Sequence, residues 1–245
     1  MKNRFQRYTA IAISPFKAIA SLLLCTAILP AGLFPWDGQQ PFVSQRTPIL
    51  LIHGYLYNKA GWLYLRHRLM KEGLEPVFTM NLGSPLHSIE EYSQRVKEKA
   101  KEIAQLTGRS DLILIGHSMG GIISSYYAVH DAAPGTVTDV ITLGSPLKGT
   151  KYKINIGKCT LQMRLDCDFL KQLHADVSSS PQTRFFCIGS QSDWIIVPQE
   201  SALYSHPEAK KLVIPDMGHL QYLFSNRVAN AIIEYLTFET RDSFH

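Results

Sequence analysis

The chain of 245 residues is 45% hydrophobic and 18% charged, enough apolar content to bury a sizeable core and too little charge for a disordered chain. Lysine and arginine number 25 against 20 acidic residues, but four of the 25 (Lys2, Arg4, Arg7 and Lys17) precede the first acidic residue, Asp37, so the remainder is nearly balanced at 21 to 20. A nucleic-acid groove needs basic residues clustered on the folded domain, and this distribution excludes one.

Behind the basic head, residues 18–36, AIASLLLCTAILPAGLFPW, form a charge-free apolar stretch. That is the arrangement of a signal peptide or of an uncleaved N-terminal membrane anchor, so residues 1–36 read as one or the other. Pro30, Gly32 and Pro35 break the distal half and favour the shorter apolar core of a signal peptide. Either reading implies export to a secreted, periplasmic or membrane-anchored location, with residues 11–35 available for membrane association. Residues 37–47 read as a polar linker and 48–245 as one domain. With a cleaved leader Cys25 would leave, and an exported chain can pair Cys159 with Cys167 across a short loop. Cys187, inside the apolar run RFFCIG, reads as a buried, inert thiol. No Cys-x-x-Cys or His-x-x-x-His spacing occurs, so no metal or cofactor is expected.

From Pro48 short apolar runs alternate with longer amphipathic segments. ILLI (49–52), PVFTM (76–80), LILI (112–115), VITL (140–143), RFFCI (184–188) and KLVI (211–214) read as buried strands. Between the second and third, Ile89, Tyr92, Val96, Ile103 and Leu106 fall on one helical stripe, Ser88 with Glu91 supplies a capping box, and Gly108 closes the helix. Aliphatic strands linked by helices predict an α/β, doubly wound and mostly parallel sheet. Residues 145–183 carry no strong strand, and an insertion of that length reads as a lid or cap over the functional site.

The stretch Gly116-His117-Ser118-Met119-Gly120 follows one of these strands and precedes a helical segment. A strand turning sharply into a helix tolerates only small side chains where the two cross, and it exposes the central serine at the carboxyl end of the sheet. Ser118 is therefore the candidate nucleophile. A serine hydroxyl needs a base, and the base needs an acid to hold its tautomer. His219, in the glycine-marked loop after the last strand, is the candidate base. Asp193, at the carboxyl end of the strand before it, is the candidate acid, with Asp216 the rival. His53-Gly54 follows the first strand, so the backbone N–H of Tyr55 can join that of Met119 as an oxyanion hole, with Leu56 an alternative to Tyr55. His53 either orients that loop by a hydrogen bond or is a plain loop histidine.

With these residues in place, the sequence resembles the α/β-hydrolase superfamily and, within it, bacterial triacylglycerol lipase-like and GPI inositol-deacylase-like serine esterases. The resemblance covers about 48–236 through PILLIHGY, LIGHSMGGIISSYYA, VITLGSPLKGT, SDWIIVP and GHL. In GSPLKGT, Leu147 replaces the family's usual histidine. The resemblance implies hydrolysis of a small-molecule or lipid ester by Ser118, Asp193 and His219 through an acyl-enzyme. Leu56 and Trp194 are the expected substrate contacts, with Tyr55, Tyr57 and Trp62 also suited to an apolar acyl chain, and all five equally suited to the core. Two other readings share these residues: acyl transfer to an acceptor other than water, and a catalytically silent binding module of the same fold.

Overall fold

The structure is a computed structural model in which residues 15–34 and 43–242 are described. The basic residues Lys2, Arg4 and Arg7, the apolar residues Pro35 and Trp36 and most of the expected linker lie outside them. The six strands are β1 (Ile49–Ile52), β2 (Val77–Met80), β3 (Leu112–His117), β4 (Val137–Leu143), β5 (Arg184–Ser190) and β6 (Lys210–Ile214). They form one sheet in the order β2-β1-β3-β4-β5-β6, and every pairing is parallel.

The alternation of side chains along a strand divides the core in two. Leu50 and Ile52 of β1 face one cluster, shared with α3 (Ile89–Thr107), α4 (Met119–Tyr126), the short α5 (Lys158–Gln162) and α6 (Asp168–Ser178). Ile49 and Leu51 face the other, against α2 (Leu63–Lys71) and α7 (Asn226–Asp242). Because both faces are covered at the centre of the sheet, β1 and residues 112–115 of β3 are aliphatic throughout rather than alternating with polar residues. The capping box at Ser88 and Glu91 forms as expected, and Gly108 ends α3 with a left-handed φ of 70°.

Three expectations are corrected. β6 is not a buried strand: it pairs only with β5 and exposes Lys210, Lys211 and Val213, and charge on an outermost strand opposes pairing with further chains. Cys159 and Cys167 are not joined; both thiols are free, Cys159 Sγ donating to the Pro85 carbonyl at 3.6 Å and Cys167 Sγ to the Gln162 carbonyl at 3.2 Å. Residues 145–183 do not form a separate cap. Leu147, Cys159, Met163, Leu170, Leu173 and Val177 are buried in the core, so most of this segment is the crossover connecting β4 to its neighbour β5. Its exposed part, residues 151–156, touches the site region where the Tyr55 hydroxyl donates to the Ile156 carbonyl at 2.6 Å, and the Lys151 N–H donates to the Val197 carbonyl at 2.8 Å.

The N-terminal apolar stretch folds onto this domain. It comprises α1 (Pro15–Ile28) and a 3-10 turn over Leu29–Leu33. No described helix is long and apolar enough to cross a membrane.

Candidate active site

In an open parallel sheet the crevice forms where neighbouring strands send their connections to opposite sides, and here that point lies between β1 and β3. Gly54 follows β1 and Ser118 follows β3. A Cβ on Gly54 would lie 2.9 Å from the Ser118 Cβ, so the two loops meet only because residue 54 has no side chain.

Ser118 sits at the N-cap of α4 with φ 55° and ψ −125°, a left-handed conformation that costs a non-glycine residue on the order of 1–3 kcal/mol and persists only where the surroundings enforce it. The enforcement is visible. A Cβ at Gly116 would collide with the backbone of Gly120 and Gly121, and one at Gly120 with the Ile52 carbonyl of β1. The crossing of β3 and α4 therefore demands glycine before the serine, and the close approach of α4 to β1 demands it after. The Ser118 N–H is in turn tied to the Leu143 carbonyl of β4 at 2.9 Å.

His219 Nδ1 donates to Asp193 Oδ2 at 2.8 Å, with both residues buried. The other carboxylate oxygen of Asp193 accepts the backbone N–H groups of Ile195 at 2.9 Å and Ile196 at 3.1 Å. With Oδ1 held by the loop and Oδ2 by the ring, the acid has no freedom to turn away, and the imidazole is left with Nε2 as its acceptor. Ser118 and His219 line one cavity of about 280 Å³, together with Gly54, Tyr55, Leu56, Tyr57, His117 and Leu220.

Met119 is buried and opens α4 immediately after Ser118. Tyr55 and Leu56 line the cavity, and Leu56 has a left-handed φ of 52°. Trp194 is 58% exposed and lies away from the cavity lining, and Trp62 is a core residue; neither occupies the expected place at the mouth. Asp216 pairs with Arg227 at 2.6 Å rather than with His219. Histidines farther from the cavity are engaged elsewhere: His130 with Asp176 at 3.1 Å, His174 against the Tyr204 ring, and His206 at the Ser178 carbonyl.

His53 orients its loop. The Leu82 N–H donates to His53 Nε2 at 2.9 Å, which puts the proton on Nδ1, and Nδ1 donates to the Gly54 carbonyl at 2.8 Å. Burial holds this imidazole neutral, with its pKa lowered to about 4. In a trans peptide the C=O and the next N–H point in opposite directions, so fixing the Gly54 carbonyl also fixes the direction of the Tyr55 N–H.

His117 has a role that sequence reasoning missed. Its Nε2 donates to the His219 carbonyl at 2.9 Å, and the two rings lie 4.8 Å apart. Burial first, and the neighbouring His219 second, lower its pKa to about 3. The only sequence signal was its position beside Ser118, which says nothing of a partner 102 residues away. A second omission is the wall that α1 contributes to the cavity. Among the described residues no three His, Cys, Asp or Glu side chains gather as a metal site would require.

The sheet order, the turn at Ser118 and the loop carrying His219 can now be set beside known proteins. The model of the PGAP1-like alpha/beta domain matches residues 77–206, just over half of the chain. The chain belongs to this family. The PGAP1-like domain has curated relatives here that include a triacylglycerol lipase of Burkholderia plantarii, 28% identical over 152 residues, 58% of this chain and 40% of that protein. A triacylglycerol lipase of Pseudarthrobacter phenanthrenivorans is 29% identical over 120 residues, 45% of this chain and 36% of that protein. The chain thus spans about two fifths of the length of the curated relatives it matches. Among solved structures, the mature form of the Bacillus licheniformis lipase BlEst2 superposes with a TM-score of 0.65 at 19% identity, covering 82% of this chain and 96% of that one. A carboxylesterase structure from the thaumarchaeon Nitrososphaera gargenis gives 0.60 at 14% identity, covering 82% and 94%. At these identities the likeness is one of fold: this PGAP1-like domain shares its architecture with those two proteins.

Proposed function

We propose that this protein hydrolyses carboxylic esters, with Ser118 as nucleophile, His219 as general base and acid, and Asp193 as the residue that holds His219. The observation that carries the reading is the buried 2.8 Å bond from His219 Nδ1 to Asp193 Oδ2, made by an imidazole that lines the same cavity as Ser118. His219 Nε2 takes the hydroxyl proton as Ser118 Oγ attacks the ester carbonyl. The tetrahedral intermediate collapses, the alcohol leaves with the proton returned by Nε2, and an acyl-Ser118 ester remains. A water activated by the same nitrogen attacks it, releasing the acid and restoring the serine. Asp193 stays ionised throughout and stabilises the imidazolium formed in each half-reaction.

The oxyanion is assigned to the backbone N–H groups of Met119, at the start of α4, and Tyr55. The fixed Gly54 carbonyl supports the Tyr55 assignment, since donors held in place before the reaction need no reorganisation during it. The names of the curated relatives support a lipid ester as substrate, and the apolar lining of Leu22, Leu29, Leu56 and Leu220 agrees with an acyl chain. The basic head and apolar stretch of residues 1–36 support export, to a secreted, periplasmic or membrane-anchored location. Membrane association through residues 11–35 is supported within the described part by exposed Leu22, Leu23, Leu24, Leu33 and Phe34.

The deciding experiment is hydrolysis of p-nitrophenyl esters from acetate to palmitate by the full chain, beside Ser118→Ala. Turnover in the wild type and a loss of at least about 10³-fold in the variant are expected. Equal activity in both would remove Ser118 from the mechanism. Product analysis with added alcohols separates hydrolysis from acyl transfer.

A further inference from the structure

Leu22, Cys25, Thr26 and Leu29 of the N-terminal segment line the cavity that holds Ser118 and His219. Their spacing of three, four and seven residues is that of a single helical stripe, so one face of the segment looks into the site. Leu23 lies off this stripe and is 65% exposed, whereas Cys25 is 2% exposed.

The domain holds the segment by specific polar bonds as well as by apolar contact. A helix ends with carbonyl groups that have no partner within the helix. Here the Cys25 carbonyl accepts the Tyr57 hydroxyl at 3.2 Å, and the Leu29 carbonyl accepts Asn58 Nδ2 at 2.9 Å. Beyond the helix, the Gly32 carbonyl accepts Asn81 Nδ2 at 2.9 Å. Asn58 serves twice, since its Oδ1 accepts the Ala60 N–H and so caps the turn at 59–62. A Cβ on Gly32 would overlap the Asn58 side chain, so the fit requires glycine there. Tyr57 and Asn58 belong to the loop after β1, which lines the cavity, and Asn81 to the loop after β2, whose Leu82 N–H holds His53.

We propose that residues 20–33 remain on the folded enzyme and form the wall of its acyl pocket, with Leu22, Cys25, Thr26 and Leu29 setting the length of acyl chain admitted. The segment is then part of the specificity machinery, whatever it does during export. The cavity it encloses lies just below the ~300–1,000 Å³ usual for small-molecule sites, which suits an acyl chain of restricted length. That the occupant is an acyl group rests on the ester reading above; the retained wall does not.

The test uses the full chain and two readouts. In the chain-length profile, Thr26→Phe fills the pocket and lowers kcat/KM for octanoate relative to acetate by about tenfold, while Leu29→Ala moves the preference to longer esters. Leu23→Ala, on the exposed side, leaves the profile unchanged. In the second readout Cys25 of the folded chain resists alkylation by a water-soluble maleimide, and Tyr57→Phe, which removes the bond to its carbonyl, speeds the reaction. An active wild type whose profile is unmoved by both pocket variants overturns the proposal. So does alkylation of Cys25 at the rate measured in urea, or a mature chain from the producing cells whose mass lacks residues 20–33. Should the wild type turn over no ester while Cys25 stays protected, the ester reading falls and the retained wall stands.

Discussion

Ser118 occupies a backbone conformation that a serine does not choose for itself. It is held there by the β3–α4 crossing, where Gly116 and Gly120 bring main chain against main chain. The chemistry assigned to it depends on a second residue, Asp193, both of whose carboxylate oxygens are committed. Asp193→Asn preserves the shape but offers an amide N–H where the carboxylate accepted one, which forces the imidazole into the wrong tautomer. We expect kcat to fall by about 10⁴-fold with KM little changed and the unfolding midpoint within a few degrees of wild type. A fall below tenfold would show that Asp193 does not hold the base. The places of Ser118, Asp193 and His219, though not the catalytic roles proposed for them, were legible in the sequence because each follows a strand. His117 was not, because its partner is a main-chain carbonyl brought close only by folding.

At the scale of elements, α3 and α1 behave in opposite ways. α3 carries its instructions locally: a capping box, a single apolar stripe and a glycine terminator, and its observed span follows them within a residue. α1 is apolar on all sides, so no stripe marks which face is buried. The structure turns Cys25 inward and leaves Leu22, Leu23 and Leu24 exposed beside the site. An exposed apolar face next to a basic head is the composition of an interfacial segment that binds an anionic lipid surface. The full chain is expected to co-sediment with vesicles containing phosphatidylserine, and less so as salt rises. Leu23→Asp should weaken binding several-fold without altering turnover of soluble acetate esters. Binding that is indifferent to both salt and Leu23→Asp would assign the membrane contact to another surface.

For the whole molecule, two neutral imidazoles are buried beneath the site. The pKa of His53 is lowered to about 4 and that of His117 to about 3, in both cases chiefly by burial, from an ordinary value of 6.5. Above pH 6.5 both are neutral whether folded or unfolded and impose no penalty. As pH falls below 6.5 the unfolded chain takes up protons that the folded chain cannot, so stability declines. The contribution of His53 is lost by about pH 4 and that of His117 somewhat lower. The loss from His53 alone is on the order of 3 kcal/mol. Urea unfolding followed from pH 7.5 to 4 should show a falling midpoint, and His117→Asn should flatten the slope. A midpoint independent of pH over that range would mean that these rings are accessible to protons in the folded state.

The α/β class, the six strands and the serine turn were determined by the sequence itself, since strand periodicity, caps and glycine punctuation act over a few residues. Tertiary structure alone decided what contacts between distant segments decide. It placed β6 at the edge of the sheet, left Cys159 and Cys167 apart, put residues 158–178 into the core rather than over the site, and moved Trp62 and Trp194 away from the mouth. It also laid α1 across the cavity. An apolar stretch states only that it must leave water; which surface receives it depends on the shape and hydrogen-bonding groups of a domain assembled from residues far along the chain.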